Sequence, residues 1–172
     1  IYDSDNKPLE NNDIKVEHAK ESINIWIITE FNNTVEKTAK AIEAYRFNEA
    51  AEALYQFMWH SYCDWYVELI KPTLMHSKDN SETTDDEATL ETKATASAIL
   101  AGTLRLLHPF MPYLTEELNE KIFNSRDMLI GETWPKPFDI AANDAVDEVQ
   151  FIISLISEIR HIRTEMNVPL SA

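Results

Sequence analysis

The sequence predicts an all-α protein, an antiparallel bundle of about five helices. Glycine is nearly absent, with 2 in 172 residues, although tight β-turns and phosphate-binding loops depend on it. Strong helix formers such as Ala, Leu and Glu are abundant. Apolar residues recur every three or four positions in several stretches, which is the helical period. Short breaks separate these stretches and predict hairpin connections, and the length suits one domain with a real core.

The first long stretch predicts a single amphipathic helix from about residue 17 to residue 45. The residues before it are polar and include Pro8, so we expect residues 1–16 to form an N-terminal loop and residues 17–172 to form the bundle. The apolar positions of the helix are Ile23, Ile27, Phe31, Val35, Ala39, Ile42 and Tyr45.

A second helix is predicted from about Asn48, a residue suited to a helix start, to Ile70. Pro72 is expected to end it, because an interior proline removes a backbone hydrogen bond. The segment WHSYCDWYVELIKP, residues 59–72, is crowded with aromatic side chains, and we expect Trp59 and Trp65 to pack in the core. Residues 73–87 are acidic and poor in apolar side chains, which predicts a mobile linker.

The third and fourth helices are marked by their ends. Thr84 and Glu87 have the spacing of a capping box, so the third helix should begin there and run to Leu107. The segment HPFMP breaks the chain, and a fourth helix is expected from about Pro112 to Phe123. The predicted contact face of the third helix is rich in alanine: Leu90, Ala94, Ala98, Ala101, Leu104 and Leu107.

The last part of the chain predicts an ordered loop and a fifth helix. The loop spans residues 124–142 and contains Trp134 and Pro135. Asn143 or Asp144 is expected to cap the helix that follows. Its apolar positions are Val146, Val149, Ile152, Ile153, Ile156, Ile159, Ile162 and Met166.

Charge and composition exclude several classes of protein. The formal net charge is −15, which favours solubility and opposes nucleic-acid binding, since phosphate recognition needs basic patches. The single cysteine, Cys63, cannot form an internal disulfide and fits a reducing compartment, so we expect a cytoplasmic protein. No apolar run approaches the length of about 18 residues that would predict a membrane-spanning helix.

Two groups of side chains have the spacing of metal ligands. His60, Cys63 and Asp64 share a helix face, but a packed cysteine beside a half-exposed histidine explains them as well. Glu158 and His161 form one Glu-x-x-His pair, whereas carboxylate di-metal bundles need two such pairs. No serine lies in a glycine-rich nucleophile turn. We therefore expect no catalytic residue, no metal and no bound cofactor in this chain.

Local groups of basic and aromatic residues depart from the acidic average. Arg46 lies between Tyr45 and Phe47 at the first predicted hairpin, and such a tip can stack on an unpaired base. The other candidates for an RNA contact are Arg105, His108, Arg160 and Arg163. Each arginine is also explained as a snorkelling surface side chain.

Several motifs occur together in a characteristic order. The most distinctive has Trp59, then CDWY at 63–66, then Glu68 and the pair Lys71-Pro72. The others are NIWII at 24–28, AYRFNEAA at 44–51, LHPFMPYLTEEL at 107–118, WP at 134–135 and IRHIRTEMNVP at 159–169. Together they resemble the anticodon-binding helical domain of the valyl-tRNA synthetases, which are class I aminoacyl-tRNA synthetases. Asn119 departs from this pattern, since a Trp is usual there, and residues 73–87 look longer than the usual connection.

The resemblance implies a domain that binds the anticodon loop and stem of a valine tRNA beside a catalytic domain of the same chain. The whole enzyme would be a valine–tRNA ligase, which uses ATP to attach valine to its tRNA. The ATP-binding signatures His-Ile-Gly-His and Lys-Met-Ser-Lys-Ser are absent here, so the fragment itself should not be catalytic. The residues we expect to contact tRNA are Tyr45, Arg46, Phe47, Arg105, His108, Arg160 and Arg163. A non-enzymatic helical bundle that binds another protein is the open alternative.

Overall fold

A computed structural model describes residues 16–79, 86–125, 127–140 and 144–168. Its helices are α1 (Ser22–Glu43), α2 (Phe47–Tyr55), α3 (Val67–Asp79), α4 (Glu87–Leu107), α5 (Pro112–Phe123) and α6 (Ala145–Glu165). A π-helical segment (Gln56–Tyr66) joins α2 to α3 without a break, so residues 47–79 form one long rod. The described residues contain no strand. The predicted all-α bundle of five helical units is confirmed.

α1 and α4 run in the same direction, and the long rod runs opposite to both. Near the start of each helix, Asn24 of α1 donates to Thr92 of α4 over 3.2 Å. Farther along both helices, the ring of Phe31 lies directly over Gly102. Tyr66, far along the rod, bonds to Asn24 at the start of α1. The carboxyl ends of α1 and α4 therefore lie at the same end of the bundle.

A buried polar network joins α1, the rod and α4. Tyr66 Oη donates to Asn24 Oδ1 over 2.8 Å, and Asn24 Nδ2 donates to Glu91 Oε1 over 2.9 Å. Glu91 also accepts the backbone N–H groups of Lys20 and Glu21, each over 3.0 Å. Burial raises the pKa of Tyr66, so its hydroxyl remains a donor. Glu21 has no side-chain cap of its own, and Glu91 thus binds N–H groups at the start of α1 from a neighbouring helix.

The apolar core fills the space between the same three elements. Its fully buried side chains include Ile27, Ile28, Phe31, Leu54, Ile99 and Leu106. The loop of residues 127–140 closes one side, because Asn32 exchanges two hydrogen bonds with the backbone of Phe138, at 2.8 and 2.9 Å. The Phe138 ring lies 5.6 Å from that of Phe31, centroid to centroid. The prediction of an ordered loop is confirmed for this part.

Two predicted helix ends are wrong. α1 begins at Ser22, not near residue 17, because the N–H groups just before it bind Glu91. Pro72 does not end the second helix and lies inside α3, which continues to Asp79. Leu74 packs against the core beyond this proline. Tertiary packing there outweighs the loss of one backbone hydrogen bond.

The predicted acidic linker is correspondingly too long. Residues 73–79 belong to α3, and Glu87 already belongs to α4. Asp86 caps α4 by accepting the N–H of Thr89 over 2.8 Å, in place of the predicted cap Thr84. Residues 80–85, which include Thr84, lie outside the described part of the chain, as do residues 1–15 of the predicted N-terminal loop.

The predicted contact face of α4 is only partly correct. Leu104 is buried, and Ala98 and Leu107 are half-buried and pack against the core, whereas the other three residues are half-buried outside it. Threonines also turn inward: Thr103 donates to the Ile99 carbonyl over 2.7 Å and Thr92 accepts from Asn24, while the buried Thr95 hydroxyl has no hydrogen-bond partner among the described residues. The buried threonines of α4 are Thr89, Thr92, Thr95 and Thr103.

Trp59 does not pack in the core, contrary to prediction, and is 55% exposed. The π-helical segment explains the error, since hydrogen bonds from residue i to i+5 bring residues four or five apart onto one face. The rings that turn inward are Phe57, Tyr62 and Tyr66. Trp65 is half-buried and packs against the core, as predicted.

The two glycines of the chain provide a matched test of the packing of α1 against α4. A Cβ added at Gly102 would lie 2.5 Å from Phe31 Cζ, whereas one added at Gly131 would meet nothing within 4 Å. Gly102→Ala should therefore lower the free energy of unfolding by about 1–3 kcal/mol through overpacking. Gly131→Ala should leave it nearly unchanged. Urea denaturation measures both, and equal midpoints would contradict the close contact of α1 with α4.

Glu91→Ala tests the buried polar network. The change leaves two backbone N–H groups without an acceptor and removes one of the two acceptors of the Asn24 amide, so we expect a loss of about 3 kcal/mol in the free energy of unfolding. Glu87→Ala is the control, because Glu87 lies on the same helix and only forms an exposed ion pair with Lys20, at 2.7 Å. If both variants melted like the wild-type protein, the network would not stabilise the bundle.

Candidate nucleic-acid interface

The turn between α1 and α2 presents Tyr45, Arg46 and Phe47 to solvent. Arg46 N–H donates to the Ala41 carbonyl over 2.8 Å, and Tyr45 N–H donates to Ile42 over 2.9 Å, which is the Schellman helix ending. The left-handed position of this ending usually holds glycine, yet here it holds Tyr45, with φ 58° and 82% of its surface exposed. This conformation destabilises the fold by about 1–2 kcal/mol. Stability therefore does not explain the tyrosine.

The same turn offers the groups that recognise an unpaired base. The rings of Tyr45 and Phe47 lie edge to face, with centroids 6.5 Å apart. The Arg46 guanidinium lies 3.2 Å from the Glu49 carboxylate, and both groups are exposed. Exposed pairs of this kind contribute little to stability. Arg46 can therefore exchange Glu49 for a phosphate or a base edge at little cost.

An apolar cleft of about 440 Å³ lies beside the turn, between the first part of the rod and the α4–α5 connection. Two of its lining residues, Tyr55 and Trp59, are each 55% exposed. Their rings are nearly parallel, at 5°, with centroids 6.3 Å apart. The lining residues are Asn48, Ala51, Glu52, Leu54, Tyr55, Met58, Trp59, Leu107, Phe110 and Met111. The cleft thus combines an apolar interior with exposed aromatic surface.

Sequence analysis missed Tyr55 and Trp59, and also Tyr113, which is 92% exposed at the start of α5. A signal for the first two was present. They are four residues apart on one helix, and Phe57, Tyr62 and Tyr66 occur in the same stretch. A single helix cannot bury aromatic rings on all its sides, so some of these rings had to face solvent.

His108 and Arg105 lie at the same end of the bundle but are less accessible. The side chain of His108 is 14% exposed, and its Nδ1 lies 2.8 Å from Thr115 Oγ1. Its Nε2 lies 3.9 Å from Glu116, which accepts the backbone N–H of Leu129 over 3.0 Å. His108 thus ties the α4–α5 connection to the following loop. Arg105 is half-buried at a small cavity of about 170 Å³.

Arg160 and Arg163 are not brought together with the other candidates. The Arg160 guanidinium carbon lies 4.9 Å from the centroid of the Trp65 ring, a cation–π contact. Trp65 adjoins Tyr66, which bonds to the start of α1, so Arg160 is at the end of the bundle opposite Tyr45. Arg163 follows on the same helix and is half-buried.

Although the average charge of the chain is acidic, the region beside the α1–α2 turn carries both basic and acidic side chains. Lys37, Lys40 and Arg46 border a second cavity of about 620 Å³, together with Glu49 and Glu52. Since basic and acidic side chains occur together here, the region offers individual cations for phosphate contacts. It does not form the broad basic surface of a protein that binds nucleic acid mainly by charge.

The candidate metal ligands do not converge. His60 Nδ1 lies 3.3 Å from Asp64, and burial raises the pKa of the nearby Cys63, which keeps the thiol protonated. His161 pairs with Glu165 over 3.3 Å. Within the described ranges, no group of three His, Cys, Asp or Glu side chains is arranged to hold a metal ion. None of the described helices is both long and apolar enough to cross a membrane.

Comparison with known proteins agrees with these features. Residues 24–172 match the family described as the anticodon-binding domain of tRNA ligase. A valine–tRNA ligase of Rhizobium meliloti is 44% identical over 160 residues, which are 91% of this chain and 16% of that protein. A second, from Caulobacter vibrioides, is 46% identical over 158 residues, or 89% of this chain and 17% of the relative. A third, from Mesorhizobium japonicum, is 37% identical over 171 residues, which are 97% of this chain and 18% of that protein.

The chain therefore spans less than a fifth of the length of these relatives. The family match includes the α1–α2 turn and also the α4–α5 connection, which borders the cleft. It also includes all six α-helices apart from the first two residues of α1. The chain belongs to the family of anticodon-binding domains of tRNA ligases.

Proposed function

We propose that this chain is the anticodon-binding domain of a valine–tRNA ligase and that unpaired anticodon bases bind at the end of the bundle where α1 meets α2. The observation that carries this proposal is the set of exposed aromatic rings beside an apolar cleft, on a domain of this family. The rings are those of Tyr45, Phe47, Tyr55 and Trp59.

Each part of this surface has a role in recognising single-stranded RNA. Unstacked bases of a loop stack on aromatic faces and form hydrogen bonds along their edges. Tyr45 and Phe47 supply such faces on the turn, and Trp59 supplies one at the cleft. Arg46 supplies donors for a phosphate or a base edge. Arg105 and His108 are proposed as further contacts at this end, while Arg160 and Arg163 would meet a different part of the tRNA.

The acidic surface sets the strength of this interaction. Counterion release from basic residues supplies most non-specific affinity for nucleic acid, and a chain of net charge −15 gains little from it. Affinity of the isolated domain would then come from the local contacts alone and would be weak. We propose that the remainder of the enzyme supplies most of the electrostatic attraction.

The whole enzyme would have parts that this chain does not supply. As a cytoplasmic valine–tRNA ligase it would use ATP to join valine to a valine tRNA in a separate catalytic domain. The present domain, residues 17–172, would contribute binding energy that positions the tRNA for that reaction. Support for these proposals comes from the names of the relatives that the chain matches.

Removal of single contact groups from the full-length enzyme tests the proposal. Arg46→Ala, Phe47→Ala and Trp59→Ala should each weaken filter binding of a valine tRNA. Loss of a stacked ring removes about 1–3 kcal/mol, which is roughly 5- to 150-fold in the dissociation constant. Met75→Ala is the control, because Met75 is 62% exposed on α3, away from the turn. Unchanged affinity in all three variants would exclude this surface.

Tyr45 should show opposite effects on stability and on binding. Tyr45→Gly and Tyr45→Ala both remove the ring, but only glycine adopts φ 58° without strain. We expect the glycine variant to be more stable than the wild-type protein by about 1 kcal/mol in urea. Both variants should bind valine tRNA more weakly. Wild-type affinity of the glycine variant would show that the ring is no tRNA contact.

A further inference from the structure

One side of α6 carries a row of apolar side chains that no described residue covers. Five such residues recur every three or four positions and are 48–70% exposed. We call them the outer face of α6: Phe151, Leu155, Ile159, Ile162 and Met166. Over 15 helical residues the row extends for about 22 Å. Exposed apolar patches of this extent mark interaction surfaces in soluble proteins.

The outer face is separate from the surface that anchors α6. Val149 is buried, and Ile153 packs against the core formed by α1 and the rod. Arg160 reaches back toward the rod through its contact with Trp65. The helix thus has a wide apolar arc, of which one half packs on the bundle and the other half faces solvent. Packing within the described part of the chain explains only the first half.

We propose that the outer face of α6 docks against an apolar surface of another domain of the same ligase chain. This inference rests on the proposed function, under which the chain is one domain of a longer enzyme. The relatives support a large absent portion, since the matched region covers only 16–18% of their lengths. Those parts are the nearest available polypeptide that could cover the outer face.

Tethering favours this occupant over a second copy of the chain. A domain joined by a short linker acts at an effective concentration of about millimolar, far above the concentration of free enzyme in a binding experiment.

Methionine oxidation in the full-length enzyme tests the proposal with internal controls. Met166 is 70% exposed in this domain, and Met128 and Met75 are comparably exposed, at 64% and 62%. Because oxidation by peroxide follows exposure, the three should react alike unless the outer face is covered. We expect Met166 to oxidise about tenfold more slowly than Met128 and Met75, as measured by mass spectrometry of peptides. Equal rates would overturn the proposal.

A pair of variants tests whether the apolar contact causes the protection. Leu155→Glu combined with Ile159→Glu places charge on the outer face and should restore rapid oxidation of Met166. Ser154→Glu is the matched control, since Ser154 is an exposed neighbour outside the apolar row, and it should leave Met166 protected. Circular dichroism checks that each variant is folded. An unchanged Met166 rate in the folded double variant would overturn the proposal.

Two further measurements, sedimentation and aminoacylation, show which part of the proposal is wrong if the oxidation result is not as expected. If the wild-type enzyme is a dimer in sedimentation and the double variant is a monomer, a second copy covers the outer face and the proposal is wrong. Aminoacylation of a valine tRNA is measured on the same preparation. An enzyme that charges this tRNA while Met166 oxidises freely contradicts the docking surface alone. An enzyme that does not charge it contradicts the proposed function, whatever the oxidation rates.

Discussion

The buried hydrogen bonds among Asn24, Glu91 and Tyr66 set the geometry on which the rest of the structure depends. They join three helical elements at one level, and Glu91 also accepts the backbone N–H groups of Lys20 and Glu21 just before α1. A buried carboxylate with three donors is strongly stabilised in one arrangement and poorly tolerated in any other. The network therefore specifies the direction and register of α1 and α4 more sharply than apolar packing would.

The direction of α1 and α4 determines where the candidate RNA surface lies. Because α1 and α4 run in the same direction, the turns at their carboxyl ends lie at the same end of the bundle, where the apolar cleft lies between the rod and the α4–α5 connection. The polar network lies at the opposite end, near the start of both helices. The bundle thus separates its buried polar network from its candidate RNA surface. A fixed network at one end can hold a strained Tyr45 and exposed rings at the other.

Much of the fold could be predicted from the sequence, since apolar periodicity and Pro112 located α5 correctly and the motifs identified the family. The errors arose where tertiary contacts outweigh local preference. Pro72 lies inside α3 because the residues on both sides of it pack against the core. The π-helical segment places Trp59 on the side of the rod that faces solvent. At the candidate site, exposed Tyr45, Arg46 and Phe47 were predicted from residue type. The cleft depends on residues distant in sequence, which no local pattern reveals.

Three of the four tryptophans in this chain allow one direct test of where the RNA binds. Trp26 is buried in the core, Trp65 is half-buried at the polar end, and Trp59 lies at the cleft. Titration of the nitrogen-15-labelled full-length enzyme with a valine tRNA anticodon stem-loop would report each indole N–H separately by NMR. We predict that the Trp59 signal shifts while those of Trp26 and Trp65 do not. A shift of Trp65 with Trp59 unchanged would contradict RNA binding at the cleft.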